Sequence, residues 1–263
     1  MRFAVSLLVL LVTSPVAHAH ELTPEQLRTV RFDQHIGAPV PLDLEFTDDA
    51  GRPVTLREYF RSKPVVLTLN YLRCQNLCPL ELQGLIGGLN GVPFTLGDEY
   101  TLVTISFDAR DTPETATMAK YKALRGYAHP EAAGGWHVLT TPDQTTIDRL
   151  TEAVGFHYVY DDQEDDYAHP LGLVILTDTG EVSRYVYGLD FSATDLRLAL
   201  TEAAQQRIGG ITEQVLLLCY HYDALTGRYT PLVLDLLKMA GAATVLALGA
   251  AMAVMWRADS KRT

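Results

Sequence analysis

The chain has 263 residues, a formal net charge of -11 at pH 7 and a composition that is 48% hydrophobic. A negative chain lacks the basic surface that nucleic-acid phosphates require, so no nucleic-acid partner is expected, whereas a basic protein partner is compatible with this charge. The three cysteines are an odd number, which argues against a disulfide framework and for cysteine chemistry.

The N-terminus has the pattern of a secretory signal. Arg2 precedes a long apolar run, and the small residues Ala17 and Ala19 occupy the two positions that a signal peptidase reads. We therefore expect residues 1–19 to be a signal peptide and residues 20–38 to be a loosely ordered lead-in to an exported protein.

Strand and helix patterns alternate along the next part of the chain. The stretch "PLDLEFTDDAGRPVTLREYF" alternates and turns at a glycine, which predicts a β-hairpin, and "VVLTLNYL" is the continuous apolar run of a strand buried on both faces. Apolar residues then recur at helical spacing after Pro79. The later segments are predicted as strands 100–107 and 136–140, helices 111–127, 141–156 and 192–207, and a hairpin over 169–188.

This order of elements predicts the fold class. Strands that alternate with helices form βαβ units with a parallel core, and hairpins add antiparallel edges. The expected fold is an α/β sandwich of thioredoxin type over residues 39–207, with an added N-terminal β-hairpin and a C-terminal transmembrane helix.

Cys74 and Cys78 lie where the apolar strand ends and the helix at Pro79 begins. A residue before proline avoids the helical region, so Cys78 is expected in an extended or turn conformation, and the positive end of the helix is expected to lower the pKa of both thiols. The sulfurs can close a disulfide or open around an ion, and two thiolates suit a soft metal such as Cu(I). A metal site, a redox dithiol and a structural disulfide are all compatible with these residues.

Two ligands rarely make a selective metal site, so a third ligand is expected, and the histidines are the candidates. His137 and His157 lie in or beside strand-like segments, where a structural imidazole is the usual outcome. His169 directly precedes a predicted strand, at the end of the sheet toward which the cysteine loop is also directed. Neutral imidazole is a ligand for both copper oxidation states, so position makes His169 a candidate ligand.

Two groups of carboxylates lie near these residues in the predicted fold. The run "DDQEDD" at 161–166 is interpreted as a solvated loop, with a docking patch for a basic partner as the alternative. Asp108 and Asp111 follow the second buried strand. They either orient groups around the cysteines or, in the case of Asp111, only start a helix.

The C-terminal part is predicted to anchor the protein. The uncharged run Met239–Trp256 would be about 27 Å long as a helix, close to the hydrocarbon thickness of a bilayer, which predicts a transmembrane helix over 232–256. Basic residues in the tail 257–263 place that tail in the cytoplasm. The globular domain is then expected in the periplasm of a bacterium, tethered to the inner membrane by a single pass.

The segment 208–231 is predicted to be juxtamembrane and contains Cys219 and His221. A free cysteine in apolar company is most often an inert core or interface residue. A second copper site and an intermolecular disulfide are the alternatives for Cys219.

Four motifs carry a resemblance to a known family. "NYLRCQNLCPLEL", "VTISFDARDTPE", "GWHVLTTPDQTTIDRLTEAVGF" and "DYAHPLGLVILTDTGEV", in this order and spacing, resemble the Sco/SenC family of membrane-tethered, thioredoxin-like copper proteins over residues 37–205. The resemblance implies that Cys74, Cys78 and His169 bind copper as Cu(I), Cu(II) or both. The same two cysteines would form a disulfide when they are metal-free and oxidised.

The resemblance also implies a function. The protein would deliver copper to the cytochrome oxidase subunit that carries the binuclear copper centre, with a thioredoxin-like reductant or another periplasmic copper chaperone as further partners. The alternative is a thiol-disulfide oxidoreductase that reduces the cysteines of that centre. The chain departs from the family in Gln75-Asn76, where Pro-Asp is common, and in its C-terminal anchor, since the usual anchor is N-terminal or a lipid.

Overall fold

The structure is a computed structural model that describes residues 22–74 and 77–208, together with isolated positions between 222 and 252. The predicted signal peptide, the tail 257–263, Cys219 and His221 lie outside the described residues, as does most of the predicted anchor. No helix within the described residues has both the length and the apolar character needed to cross a membrane.

Within residues 22–74 and 77–208, the helices α1 to α5 in chain order are Pro24–Thr29, Leu77–Leu89, Pro113–Leu124, Gln144–Ala153 and Ala193–Ala204. Short 3-10 helices cover Leu56–Tyr59 and Pro130–Gly135. The strands β1 to β13 are Arg31–Phe32, Glu45–Asp48, Pro53–Thr55, Val65–Asn70, Thr101–Ser106, Trp136–Thr140, Phe156–His157, Val159–Asp161, Asp166–Ala168, Gly172–Leu176, Val182–Tyr187, Tyr222–Asp223 and Arg228–Tyr229.

Seven strands form the central sheet, in the order β11-β10-β4-β5-β6-β2-β3. β4, β5 and β6 are parallel, as expected for strands joined through helices. The predicted hairpins form both edges: β10 and β11 pair antiparallel on one side, and β2 and β3 extend the other. The prediction of a mixed sheet with a parallel centre is therefore confirmed.

Each face of the sheet is covered by its own apolar core. In β4, Val65, Leu67 and Leu69 join the core under α4 and the N-terminal segment. Val66 points the other way and joins the core formed by α2, α3 and α5. Burial on both faces explains why this strand reads as a continuous apolar run.

The helix starts follow the capping rules. Thr112 caps α3 through its hydroxyl and Pro113 stands in the first turn, as the sequence predicts. Asp143 and Ser192 cap α4 and α5 in the same way. Each cap satisfies backbone N–H groups that have no partner inside the helix.

The lead-in before residue 39 is more ordered than predicted. It contains α1, which begins with a capping box between Thr23 and Gln26, and β1, which pairs with β7. The ring of Phe32 packs against Phe156 and Tyr185. Contacts with residues far along the chain fix this segment, and local sequence does not reveal them.

Close packing of α2 requires glycine at position 84, whereas position 87 on the exposed face has room for a side chain. A Cβ at Gly84 would lie 1.8 Å from the carbonyl oxygen of Leu189, whereas a Cβ at exposed Gly87 would meet nothing within 4 Å. We predict that Gly84→Ala destabilises the protein by about 2 kcal/mol, since backbone must move. Gly87→Ala should instead stabilise it by about 0.5 kcal/mol, because alanine favours a helix. Urea unfolding of both variants checks this, and equal effects at the two positions would contradict it.

Candidate metal centre

The sheet topology brings the predicted site residues to one edge. Cys74 lies in the loop after β4, Cys78 lies in the first turn of α2, and His169 lies just before β10. β4 and β10 are antiparallel neighbours, with Thr68 opposite Leu173. The end of one strand therefore meets the start of the other, and the loop carrying the cysteines faces the loop carrying the histidine.

His169 contacts the cysteine pair directly. Its Nε2 lies 3.1 Å from the Sγ atom of Cys78, and its Nδ1 lies 3.0 Å from the carbonyl oxygen of Pro170. A carbonyl only accepts hydrogen bonds, so Nδ1 carries the proton and Nε2 keeps its lone pair. Nε2 can accept the thiol proton of Cys78 or bind a metal. A backbone carbonyl in this position is a common orienting partner of metal-binding histidines.

Aromatic rings surround the imidazole. The ring centroids of Phe107, Tyr71 and Phe156 lie 5.2, 5.9 and 6.0 Å from that of His169. Burial among these rings lowers the pKa of His169, and the hydrogen bond to Pro170 only partly opposes this. The imidazole is therefore neutral at neutral pH, the form that can ligate a metal.

The two cysteines differ in exposure. Cys78 is only 3% exposed, whereas Cys74 is partly exposed. The hydrogen bond with Cys74 is the largest cause of a raised pKa at Cys78, followed by burial of its sulfur. The prediction of a lowered pKa is therefore wrong for Cys78: desolvation and a neighbouring sulfur outweigh the helix end.

The expected conformation of Cys78 is also wrong. Helix α2 begins at Leu77, so Cys78 is helical and Pro79 stands within the first turn. Proline is tolerated there because the first backbone N–H groups of a helix have no partner inside it. The steric cost of a helical conformation before proline is outweighed by the packing of α2 on the sheet.

The donor atoms fit a soft metal, but they are not spread around one. No group of three or more His, Cys, Asp or Glu side chains within residues 22–74 and 77–208 is arranged to hold a metal ion. The 3.1 Å between Cys78 and His169 is a hydrogen-bond distance, whereas two atoms that bind one metal at about 2.3 and 2.0 Å are about 3.5 Å apart. Two sulfurs and one imidazole nitrogen suit copper. An increase of a few tenths of an ångström in the distance between Cys78 Sγ and His169 Nε2 would let both atoms bind the same ion.

Asp111 ties the cysteine loop to the neighbouring strand. Its buried carboxyl accepts hydrogen bonds from the backbone N–H of Leu72 at 2.7 Å and from the hydroxyl of Ser106 at 2.6 Å. Burial raises the pKa of this carboxyl despite those bonds. Of the two interpretations of Asp111, the structure supports orientation of the loop, since the helix is capped by Thr112.

Asp108 lies at the centre of an ion-pair network beside the site. Its carboxyl, 1% exposed, accepts from Arg73 at 2.7 Å and from Arg110 at 2.8 Å. Arg110 also binds Asp165 at 2.5 Å and lies over the ring of Tyr160. The network connects the cysteine loop to the hairpin that precedes His169.

The acidic run is part of that hairpin and not a fully solvated loop. It covers the turn between β8 and β9, and Asp161 accepts from the backbone N–H of Gln163. Asp165 binds Arg110, and Asp166 accepts a hydrogen bond from Tyr71. The other carboxylates, Asp162 and Glu164, are exposed and compatible with a docking role.

His137 and His157 have their contacts elsewhere in the fold. His137 packs against Tyr59 with ring centroids 4.5 Å apart, and burial lowers its pKa to about 4. His157 pairs with Asp33 at 2.9 Å. Both have the structural roles that the sequence predicts.

Sequence reasoning missed Glu81 and Asn70. Glu81 is 1% exposed, and burial raises its pKa to about 8. Its carboxylate accepts a hydrogen bond from the side chain of Asn70 at 2.8 Å. The available signal was that Glu81 is the one charged residue of α2, three positions after Cys78 and next to the apolar face.

Fold and site together define a class: a thioredoxin-like α/β protein in which a cysteine pair and a histidine from a later loop meet at the edge of the sheet. A family model described as SCO1/SenC matches residues 33–204, and the chain belongs to this family. The resemblance found in the motifs is thereby confirmed.

Solved structures agree with this fold. A protein of Aquifex aeolicus VF5 is 24% identical, with 65% of this chain and 95% of that chain covered and a TM-score of 0.57. Arabidopsis thaliana ScoI with copper bound is 19% identical, with 65% and 99% covered and a TM-score of 0.50. A SCO1/SenC family lipoprotein from Bacillus anthracis is 16% identical, with 66% and 95% covered and a TM-score of 0.50. No curated protein matches the chain.

Proposed function

We propose that this protein binds one copper ion through Cys74, Cys78 and His169 and delivers it to the oxidase subunit that carries the binuclear copper centre. The observation that carries this proposal is the contact between Cys78 Sγ and His169 Nε2, with Nδ1 held by a carbonyl. Family membership and the copper named for the Arabidopsis thaliana relative support it.

Copper is the cargo in this proposal. Binding requires both thiols to lose their protons, while His169 is already neutral and needs no proton change. Cys74 is the more exposed sulfur, so it is the ligand that an acceptor protein can reach first. Transfer then proceeds by exchange of one ligand at a time, ending with the buried Cys78.

The redox state of the cysteines would control loading. Oxidation joins Cys74 and Cys78 in a disulfide, with release of two electrons and two protons to a partner disulfide that becomes a dithiol. Only the reduced thiols can be ligands, so the protein depends on a thioredoxin-like reductant and receives copper from a donor such as another periplasmic copper chaperone.

A second candidate function is thiol-disulfide exchange with the cysteines of the same oxidase centre. The asymmetry of the pair favours it, because a partly exposed Cys74 can form a mixed disulfide and a buried Cys78 can resolve it. This reaction needs no metal ligand from His169, which separates the two functions experimentally.

We further propose that the domain is periplasmic and is tethered to the bacterial inner membrane by residues 232–256. The apolar run Met239–Trp256 and the basic residues after it support this orientation. A C-terminal tether would place the partly exposed Cys74 on a domain that can approach an acceptor at the same membrane.

Copper titration of the reduced full-length chain tests the metal site. We expect one copper per chain and, with Cu(II), a thiolate-to-copper charge-transfer band that is absent in both Cys74→Ser and Cys78→Ser. His157→Ala serves as the control, because His157 is paired with Asp33 and should leave the band unchanged. A band that survives either cysteine substitution would contradict the ligand set.

A further inference from the structure

Glu81 is a buried carboxyl that the proposed chemistry does not use. Its Oε1 accepts a hydrogen bond from the backbone N–H of Gly172 at 2.6 Å, and its Oε2 accepts one from the side-chain amide of Asn70 at 2.8 Å. A carboxyl group is rarely buried this completely, at 1% exposure, without a structural or chemical role.

These hydrogen bonds join the three segments that carry the proposed copper ligands. Asn70 ends β4, just before the loop of Cys74, and Gly172 begins β10, just after the loop of His169. The carboxyl itself belongs to α2, one turn beyond Cys78. The Glu81 side chain therefore links all three segments, and neither of its two hydrogen bonds involves a proposed copper ligand.

We propose that Glu81 is a positioning residue that holds these segments together and takes up a proton when the sulfur pair becomes anionic on binding copper. This inference rests on the proposed function. It makes copper binding at the edge of the sheet release fewer protons in alkaline solution than the two thiols alone would release.

Electrostatics gives the reason. Cys74 is the titratable group that raises the pKa of Glu81, and Glu81 in turn raises the pKa of Cys78, whereas Asn70 and Gly172 are uncharged. The segment before α5 that packs against α2 carries Asp190, which is exposed and therefore screened. Two thiolates beside an ionised carboxyl would concentrate negative charge in a buried site, and a proton on Glu81 removes one of those charges.

The proton balance depends on pH. Cu(I) forms bonds to both sulfurs, and two protons leave the thiols. Burial raises the pKa of Glu81 to about 8, so near pH 7 the carboxyl is already neutral and both protons go to water. Near pH 9 the carboxyl starts ionised and takes up one proton on copper binding, so one proton fewer is released than the thiols alone would give.

A buried acceptor without a partner supports two protonation states. Asn70 Oδ1 has no hydrogen-bond partner in the structure, where the amide NH2 group of Asn70 faces Glu81 Oε2, an arrangement that suits an ionised carboxylate. With Glu81 protonated, the amide can turn over so that Oδ1 accepts the new O–H group. The protonated state would then satisfy an atom that the ionised state leaves unpaired.

The variant Glu81→Gln tests the proposal, because glutamine is permanently neutral and can still accept from Gly172 and donate to Asn70. Cu(I) affinity, measured by competition with a chelator on the reduced full-length chain, should equal that of the wild type at pH 7. It should exceed the wild type by about tenfold at pH 9, one unit above the carboxyl pKa. The exposed control Glu152→Gln should follow the wild type at both pH values.

Coincident affinity profiles for the wild type and Glu81→Gln would overturn the inference, as would weaker binding by Glu81→Gln at both pH values. Proton release provides an independent measurement. In weakly buffered solution the wild type should release about one proton fewer per Cu(I) than Glu81→Gln at pH 9, and the same number at pH 7. An infrared band of a neutral carboxyl should appear on copper binding at pH 9 and be absent in Glu81→Gln.

These measurements distinguish failure of the proposed role of Glu81 from failure of the proposed copper-binding function. Copper bound by Cys74, Cys78 and His169, with equal proton release by the wild type and Glu81→Gln at pH 9, would overturn the role of Glu81 and leave the proposed function intact. A reduced chain that binds no copper would overturn both.

Discussion

Replacing His169 with alanine is expected to weaken copper binding by at least about 100-fold, because groups that merely orient a ligand already contribute about 10- to 100-fold. Thiol-disulfide exchange at Cys74 and Cys78 should change by less than about tenfold, since the sulfurs alone carry that reaction. Chelator competition gives the affinity, and reaction of the reduced chain with a small disulfide gives the exchange rate. The two readouts distinguish a copper carrier from a dithiol reductant.

The control for this prediction is His129→Ala. His129 is an exposed imidazole that lies near Glu131 and away from the cysteines, so both readouts should match the wild type. Because His169 packs among aromatic rings, urea unfolding must show that His169→Ala is folded at the assay conditions. Retained copper affinity in the folded variant would remove His169 from the ligand set.

The sheet and its helices were predictable because short stretches of sequence indicate each of them. The apolar run of β4 indicates burial on both faces, and Thr112 with Pro113 marks the start of α3. The lead-in was not predictable, because β1 pairs with β7 across more than 100 residues and nothing near Arg31 indicates that partner. A capping box at Thr23 was the only local sign of order there among the described residues.

The site was predictable where topology determines it. Sheet order places His169 beside Cys78, and the 3.1 Å contact agrees with that placement. The direction in which the pKa of Cys78 shifts was not predictable, because it depends on burial. A helix end contributes about 0.3 to 1 kcal/mol, whereas desolvation and a neighbouring sulfur can shift a thiol pKa by several units. Glu81 was missed for the same reason: its burial depends on contacts with β4 and β10.

Asp108 holds the two loops of the site in place. Burial alone would raise its pKa, but hydrogen bonds from Arg110 and Arg73 lower it overall. The ionised carboxylate therefore stabilises the fold in full above the pKa of an unfolded aspartate, about 3.9, and this contribution is lost as the pH falls through the lower folded pKa. Both arginine side chains are 41% exposed, so solvent screens part of the interaction.

Asp108→Asn should destabilise the protein by about 2 kcal/mol at pH 7, since it leaves Arg73 and Arg110 without their shared counter-ion. The difference from the wild type should narrow below about pH 4, where the wild-type carboxyl also loses its charge. Urea unfolding at pH 7 and pH 3 measures both effects. The control Asp165→Asn removes the exposed partner of Arg110 and should cost less than about 1 kcal/mol. A constant difference between the two pH values would show that packing, and not the charge of Asp108, connects the cysteine loop to the hairpin before His169.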